Sequence, residues 1–420
     1  MSIFSKGIDQ VCNRFTGLYK GVVSPKSPNT LIIPSFLVVE DGFPSLAEVI
    51  DHNLQNISTK LTFNKSLIVA DPTTWDILGQ QAFEELKKKQ PGVRYTLIKS
   101  NNIEEVNRIV EMGMRTWKLE EKSHDRGESN LSQKYGTIAR GAKKISIIYG
   151  IGGGSVIDVA KYAAYKLNIP YISIPTSLSN DGFASPFAVL NLNEDGVSTL
   201  KANVPLGVII NISTIKSDDP GYTRRIRSGI GDLLSNMTAS MDWELAQSLG
   251  SKHTNYEKID IAAKYQAQIG AEATLQYIAS DRDVFYSTEF LQHLALSLIF
   301  SAEAMGRYGS SRPASGFEHK IFHMYNRLKN YKPEATHGEL VAIGSLISAK
   351  AHKRYFKELQ AAFKKVGLPT TVEECAHIGV TMGDLKEAIR MCQSYRKERY
   401  TIFDSMECKQ VLALVDTVFK

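Results

Sequence analysis

Only four cysteines occur in the 420 residues, Cys12, Cys375, Cys392 and Cys408, and none stands at the short paired spacing of a zinc knuckle or a disulfide framework. That scarcity fits a reduced, cytoplasmic setting. No run is long and apolar enough to span a bilayer, and Met1 to Lys6 lacks the charged-then-apolar order of an export signal, so an unexported, soluble chain is expected. An excess of one charge is missing too. The formal net charge is +6 and is not gathered in a tail, which argues against a nucleic-acid partner and suits an anionic small substrate. The densest basic runs, Lys87 to Lys89 and Arg224 to Arg227, read as solvated helix faces. Internal repeats and low-complexity tracts are also absent.

What is present divides into two halves. The length exceeds one hydrophobic core, so two domains are expected. Ser66 to Ala70, Arg94 to Ile98, Ile145 to Tyr149, Tyr171 to Ile174 and Pro205 to Asn211 read as strands alternating with amphipathic segments, the pattern of an α/β domain with a largely parallel, Rossmann-like sheet over residues 1–212. Beyond it the pattern turns helical, with long segments over Gly229 to Gln247, Tyr256 to Ile278 and Glu289 to Met305, predicting an all-helical domain over 213–420. The turn-rich Ser217 to Gly221 suits the crossing between them. Lys118 to Gly141 is strongly charged and interrupts the sheet pattern, as an extended helix or a surface excursion.

Chemistry concentrates at a few places. Gly150 to Gly154, with Ser155 and Asp158 following, forms a turn between a strand and a helix, where glycines admit a pyrophosphate and the helix end offers free amides. Three consecutive glycines replace the spaced set of the common dinucleotide fingerprint. Asp71 ends another strand and either accepts hydrogen bonds from a ribose or caps the next helix. Thr176, Ser177 and Asp181 follow a third strand, where small hydroxyls and a carboxylate suit either ligand contacts or turn chemistry. His319 and His323 stand four residues apart, on one face if helical, with His337 after a loop-like stretch. This is not the metalloprotease helix motif, because Lys320 occupies the place of its glutamate. Glu318, on the other side of His319, is expected to point about a hundred degrees away around the helix.

These pieces, in this order, resemble the glycerol-1-phosphate dehydrogenase family, within the superfamily of glycerol dehydrogenase, iron-containing alcohol dehydrogenases and 3-dehydroquinate synthase. The resemblance runs from about Ser66 to about Ala349 and rests on Gly152 to Asp158, Ile174 to Ser177, Asp181-Gly182, Ser228 to Leu234, Ser311 to His319 and His337 to Glu339. It implies a dehydroquinate-synthase-like architecture and one divalent metal between the domains, held by Asp232, His319 and His337. It further implies NAD or NADP on Gly152, Gly153, Gly154, Ser155 and Asp158, with Asp71, Thr176 and Ser177 lining the cofactor and Asp181 holding the substrate. His323 is expected outside the ligand set, as a proton-relay participant. An aspartate with two histidines leaves open positions on zinc, the first expectation, or on nickel, iron or manganese.

The expected reaction is reduction of dihydroxyacetone phosphate to sn-glycerol 1-phosphate, or of a related polyol phosphate. The metal would polarise the carbonyl. Rival readings are a sugar-phosphate cyclase of the dehydroquinate-synthase type, a dehydrogenase of an unphosphorylated polyol, and a non-catalytic nucleotide-binding protein. Two features depart from the family: Asn211 stands where an aspartate is frequent, and the basic stretch before Ser35 has no clear counterpart. Arg312 is a candidate phosphate ligand or a structural ion pair. Homo-oligomerisation stays open.

Overall fold

The computed structural model describes residues 23–24, 27–31, 33–43, 45–57, 65–121, 145–192, 196–216, 219–280 and 282–420. Cys12, most of the stretch before Ser35 and most of Lys118 to Gly141 therefore lie outside the described residues. The strands are β1 (Val23–Ser24), β2 (Ser27–Leu31), β3 (Phe36–Glu40), β4 (Ser66–Ala70), β5 (Arg94–Leu97), β6 (Ile147–Gly152), β7 (Tyr171–Pro175), β8 (Phe187–Asn191), β9 (Val197–Lys201) and β10 (Gly207–Asn211). Six form one sheet in the order β3-β10-β7-β6-β4-β5, with every pairing parallel.

The central strands are buried at every position in β4, β6 and β7, as a parallel sheet covered on both faces requires. Period-two alternation sorts their side chains. Leu67, Val69, Ile148, Val208 and Ile210 face α3 (Ile103–Glu121), α4 (Gly154–Leu167) and the helical half. Ile68, Ile147, Tyr149, Ile151 and Ile209 face α1 (Leu46–Ile57) and α2 (Gln80–Lys89). Successive strands are added on opposite sides of β4: β5 on one flank, β6 and then β7 on the other. The chain thus reverses direction across the sheet between β4 and β6, the place where open α/β sheets bind ligands beyond their strand ends.

Beyond the strands expected from the sequence, the structure adds β1, β2, β3, β8 and β9. β3 is an edge strand whose burial fades from Phe36 to Glu40, and β8 with β9 makes a separate antiparallel hairpin, so neither carries the continuous apolar run of a central strand. After Asn211 the described residues hold helices and turns. They include α5 (Tyr222–Leu234), α6 (Asn236–Ser248), α7 (Ile261–Ala279), α8 (Thr288–Tyr308), α9 (Phe317–Leu328), α10 (His337–His352), α11 (Phe356–Val366), α12 (Met382–Met391) and α13 (Cys408–Val418). The single helix expected over Gly229 to Gln247 is two, divided at Ser235, whose hydroxyl donates to the Asp232 carbonyl at 2.6 Å and competes with the backbone ladder. Likewise α7 starts at Ile261 rather than Tyr256, because Asp260 accepts from the Ala263 amide at 2.9 Å and caps it there.

One buried apolar cluster runs from Leu67 through Leu298 and Leu346 to Phe419. Sheet and helical half are thereby packed against each other. The basic run Arg224 to Arg227 belongs to this packing and is not merely a solvated face: Arg224 grips Glu339, and the Arg227 Nε donates to the Val366 carbonyl at 2.8 Å. Cys375, Cys392 and Cys408 are free thiols. Among the described residues no helix is long and apolar enough to cross a membrane.

His293 on α8 shows how burial sets a pH response. Its Nε2 lies 2.9 Å from the Thr274 hydroxyl, and desolvation lowers its pKa from 6.5 to about 4. The unfolded chain therefore takes up a proton at this residue from about pH 6.5 downward, while the folded chain does not until about pH 4. Stability must fall across that window, by roughly 3 kcal/mol at its acid end. His293→Gln, which keeps a hydrogen-bonding partner for Thr274, is expected to flatten this part of the pH–stability curve. Denaturant unfolding of both proteins between pH 7 and 4 checks it; parallel curves would contradict the assignment.

Candidate active site and metal centre

The site begins with two helices that touch through glycine. A Cβ on Gly338 would sit 1.8 Å from the Ser228 carbonyl oxygen, and one on Gly231 would sit 2.4 Å from the Gly338 carbonyl oxygen. The start of α10 and the middle of α5 are consequently in backbone contact. Gly229 does the same against the sheet side, its Cβ position lying 1.9 Å from the Leu178 carbonyl oxygen. The Ser228 hydroxyl completes the joint, donating to the Ser179 carbonyl at 2.9 Å and accepting from the Gly338 amide at 3.0 Å. Arg224 reinforces it with two bonds to Glu339, each 2.8 Å, while Thr336 and Glu339 form a capping box at the first turn of α10.

This joint brings Asp232 and His337 together, with Nε2 of the histidine 2.8 Å from Oδ1 of the aspartate. His319, near the start of α9, presents its Nε2 3.7 Å from the same oxygen. One donor atom from each of the three side chains falls within 4.8 Å of the others. Asp232 is buried. Burial works against its charge, yet His337 and His319 outweigh that and hold its carboxyl well below the ordinary range. An anionic oxygen and two imidazole nitrogens converging at this spacing suit a divalent cation.

Glu318 corrects the local expectation. It does not turn away from His319: its Oε1 lies 3.0 Å from Nδ1 of that histidine, and its Oε2 accepts from the Thr238 hydroxyl at 2.9 Å. The buried carboxylate thus fixes the ring so that Nε2 faces Asp232, the outer support commonly found behind metal-binding histidines. Asp181 lies beside the group, its amide donating to Asp232 Oδ2 at 2.9 Å and its own Oδ2 accepting from the Ser301 hydroxyl at 2.7 Å. Burial, and then the neighbouring Asp232 charge, push Asp181 upward.

A cavity of about 320 Å³ opens over these residues. Its wall on the sheet side includes Gly154, Ser155, Asp158 and Asp181, and on the helical side His319, His323, His337 and Arg396. The glycine turn is built for close approach. Gly152 must lack a side chain because a Cβ would come within 2.6 Å of Val156 Cβ, whereas the space at Gly153 holds no atom within 4 Å. Gly153 also leaves α4 without a side-chain cap, so no capping side chain occupies the amides of its first turn. Asp158 forms a buried ion pair with Lys161 at 3.1 Å, and Lys161 additionally donates to the Gly182 and Phe187 carbonyls, each at 2.6 Å.

The other expected cofactor residues sit at neighbouring strand ends. Asp71 does cap the following helical turn, accepting from the Thr74 amide at 2.7 Å, at the same edge of the sheet as the glycine turn. Thr176 donates its amide to the Gly152 carbonyl at 3.1 Å. Ser177 has a buried hydroxyl without a hydrogen-bond partner, as does the Asn101 side-chain oxygen in the cavity wall. Such orphaned polar atoms fit a polar ligand. His323 lines the cavity from the same helix as His319, and burial drives its pKa well below the ordinary value.

Arg312 and Asn211 both have structural roles. Arg312 is buried in an ion pair with Glu257 at 2.9 Å and donates to the Asp242 and Tyr400 carbonyls, a structural role. Asn211 caps the short helix after β10, its Oδ1 accepting from the Ser213 amide at 3.0 Å and the Gly42 amide at 3.1 Å. Arg396, in the cavity wall, has no sequence motif around it.

A parallel sheet with an open glycine turn, packed against a helical half that presents one carboxylate and two imidazoles, is the arrangement of an alcohol dehydrogenase. Consistent with this, residues 46–217 match the family model for iron-containing alcohol dehydrogenase. The chain belongs to the glycerol-1-phosphate dehydrogenase family. It is 33% identical over 356 residues to a glycerol-1-phosphate dehydrogenase using NAD(P)+ from Sulfurisphaera tokodaii, covering 84% of this chain and 89% of that one. A protein of the same name from Staphylothermus marinus is 36% identical over 343 residues, covering 80% and 83%. The fold is that of glycerol dehydrogenase from Schizosaccharomyces pombe, with a TM-score of 0.63 at 20% identity over 92% of this chain and 89% of that one. Sulfoacetaldehyde reductase from Bifidobacterium kashiwanohense, solved with NAD+, also has a TM-score of 0.63, at 14% identity over 92% and 98%.

Proposed function

We propose that the protein interconverts dihydroxyacetone phosphate and sn-glycerol 1-phosphate with NAD(P)(H). The observation that carries this reading is one cavity lined by Gly154 and Ser155, at the end of the glycine turn, and by His319 and His337, both of which meet the buried Asp232. Asp232, His319 and His337 would hold one divalent ion, zinc in the first instance, which supplies Lewis acidity toward the substrate carbonyl. The backbone from Gly152 to Ser155 would take the pyrophosphate, with Asp158, Thr176 and Ser177 beside it and Asp71 near the ribose. Asp181, held by Ser301, is placed to bind a substrate hydroxyl. His323, which lines the cavity from the same helix as His319, would take part in passing a proton between the cavity and the reacting oxygen. The free thiols suit a reduced cytoplasm.

The test follows nicotinamide absorbance in protein loaded with each of several divalent metals. Dihydroxyacetone phosphate is expected to consume NADH or NADPH stoichiometrically and yield sn-glycerol 1-phosphate. Conversion of a sugar phosphate with no net change in nicotinamide would instead identify a cyclase, and the absence of any turnover despite bound metal and cofactor would end the enzymatic reading.

A further inference from the structure

Resting on the reading above, we propose that Arg396 is the anchor for the phosphate of the substrate, and so the residue that separates phosphorylated from unphosphorylated ketoses. Arg396 belongs to the helical-side wall of the cavity, together with Ser311, Ser315 and His323. The glycine turn lies on the opposite wall. Among the described residues no carboxylate lies within ion-pair distance of Arg396; its cation rests 5.3 Å from the ring centre of the adjoining Tyr395. A planar guanidinium with no anionic partner, at the edge of a cavity, is suited to bind a phosphate through two parallel hydrogen bonds.

The surroundings intensify the demand for an anion. Arg399, three residues on, donates to the Ser311 hydroxyl at 3.0 Å and the Ser315 carbonyl at 3.2 Å, holding the floor of the cavity next to Arg396. Burial, and then the nearby Arg312 and Arg396 charges, bring Arg399 down to about 10. Arg312 is already matched by Glu257. Net positive charge therefore accumulates on this side, and a dianionic phosphate relieves it. The backbone adds an independent sign: Arg396 has φ of +46°, a left-handed conformation that is unfavourable for a non-glycine residue. Such strain persists where the fold over-determines a side chain's direction.

Phosphate monoesters reach this enzyme from two sources, the substrate and the 2′-phosphate of NADP(H), and the experiment separates them. Asparagine tolerates left-handed backbone, so Arg396→Asn removes the charge and leaves the turn intact. For this variant the KM for dihydroxyacetone phosphate is expected to rise on the order of 100-fold, with kcat/KM for unphosphorylated dihydroxyacetone and the KM for NADH unchanged. Arg396→Lys should fall between. An equal loss with both ketones, an unchanged KM for dihydroxyacetone phosphate, or an effect confined to NADPH would each overturn the assignment. Calorimetry with inorganic phosphate judges the arginine independently of turnover: binding by the wild-type protein that Arg396→Asn loses supports the anchor, and binding that persists in the variant, or is absent from both, refutes it. If the wild-type protein binds phosphate but does not reduce dihydroxyacetone phosphate, the proposed activity fails while the anion site stands.

Discussion

Asp232→Asn is expected to abolish metal retention and turnover together. The exchange keeps the size of the side chain and removes its charge, so the helices can still pack. What is lost is the only anionic donor of the three side chains, whose Oδ1 lies 2.8 Å from the His337 ring. Removing one charge from a buried, mutually compensating group costs roughly 3–5 kcal/mol, which corresponds to a loss of two to three orders of magnitude or more in affinity. Metal content after desalting, nicotinamide turnover and circular dichroism should be measured on the same preparation. A folded variant that is fully active without metal would sink the assignment of this centre.

The second large effect concerns packing. Gly338→Ala adds one methyl group at a position 1.8 Å from the Ser228 carbonyl oxygen and 2.5 Å from its carbon. Both obstacles are backbone, and no rotamer change can clear them. The helices α5 and α10 must move apart, at a cost of ~3 kcal/mol or more, and the Asp232–His337 contact must open with them. A lowered urea midpoint and weakened metal retention are expected together. Gly153→Ala is the natural control, since nothing lies within 4 Å of its Cβ position; a midpoint for Gly338→Ala as high as that of the control would show that the close approach has been misjudged.

The central sheet was legible because β4, β6 and β7 are covered on both faces and so consist of unbroken apolar runs. β3 and the β8–β9 hairpin lie outside that covered region, and their half-exposed residues carry no comparable pattern. The glycine turn declared itself through composition. The proposed metal-binding group did so only in part. The spacing of His319 and His323, with His337 after the next loop, marks the place, but the full group is set by tertiary packing: Asp232 and His337 are 105 residues apart in the chain, and only the family resemblance points to Asp232. Glu318 shows why helical projection was insufficient, since a glutamate side chain is long enough to fold back to its neighbour's ring. Arg396 left no trace in the sequence because its left-handed backbone is carried by an arginine, where a glycine would have drawn notice. Arg224 was read as surface charge because its acceptor, Glu339, lies 115 positions downstream.

The glycine joint between α5 and α10 also orders events in time. A chelating centre whose donors are so widely separated in the chain has no counterpart in the unfolded polypeptide, and its geometry is complete only after the two helices have docked. With the proposed assignment of Asp232, His319 and His337, metal capture would be a late step in maturation, and a chromogenic ion such as cobalt, added during refolding, would act as a clock for the closure of that single interface.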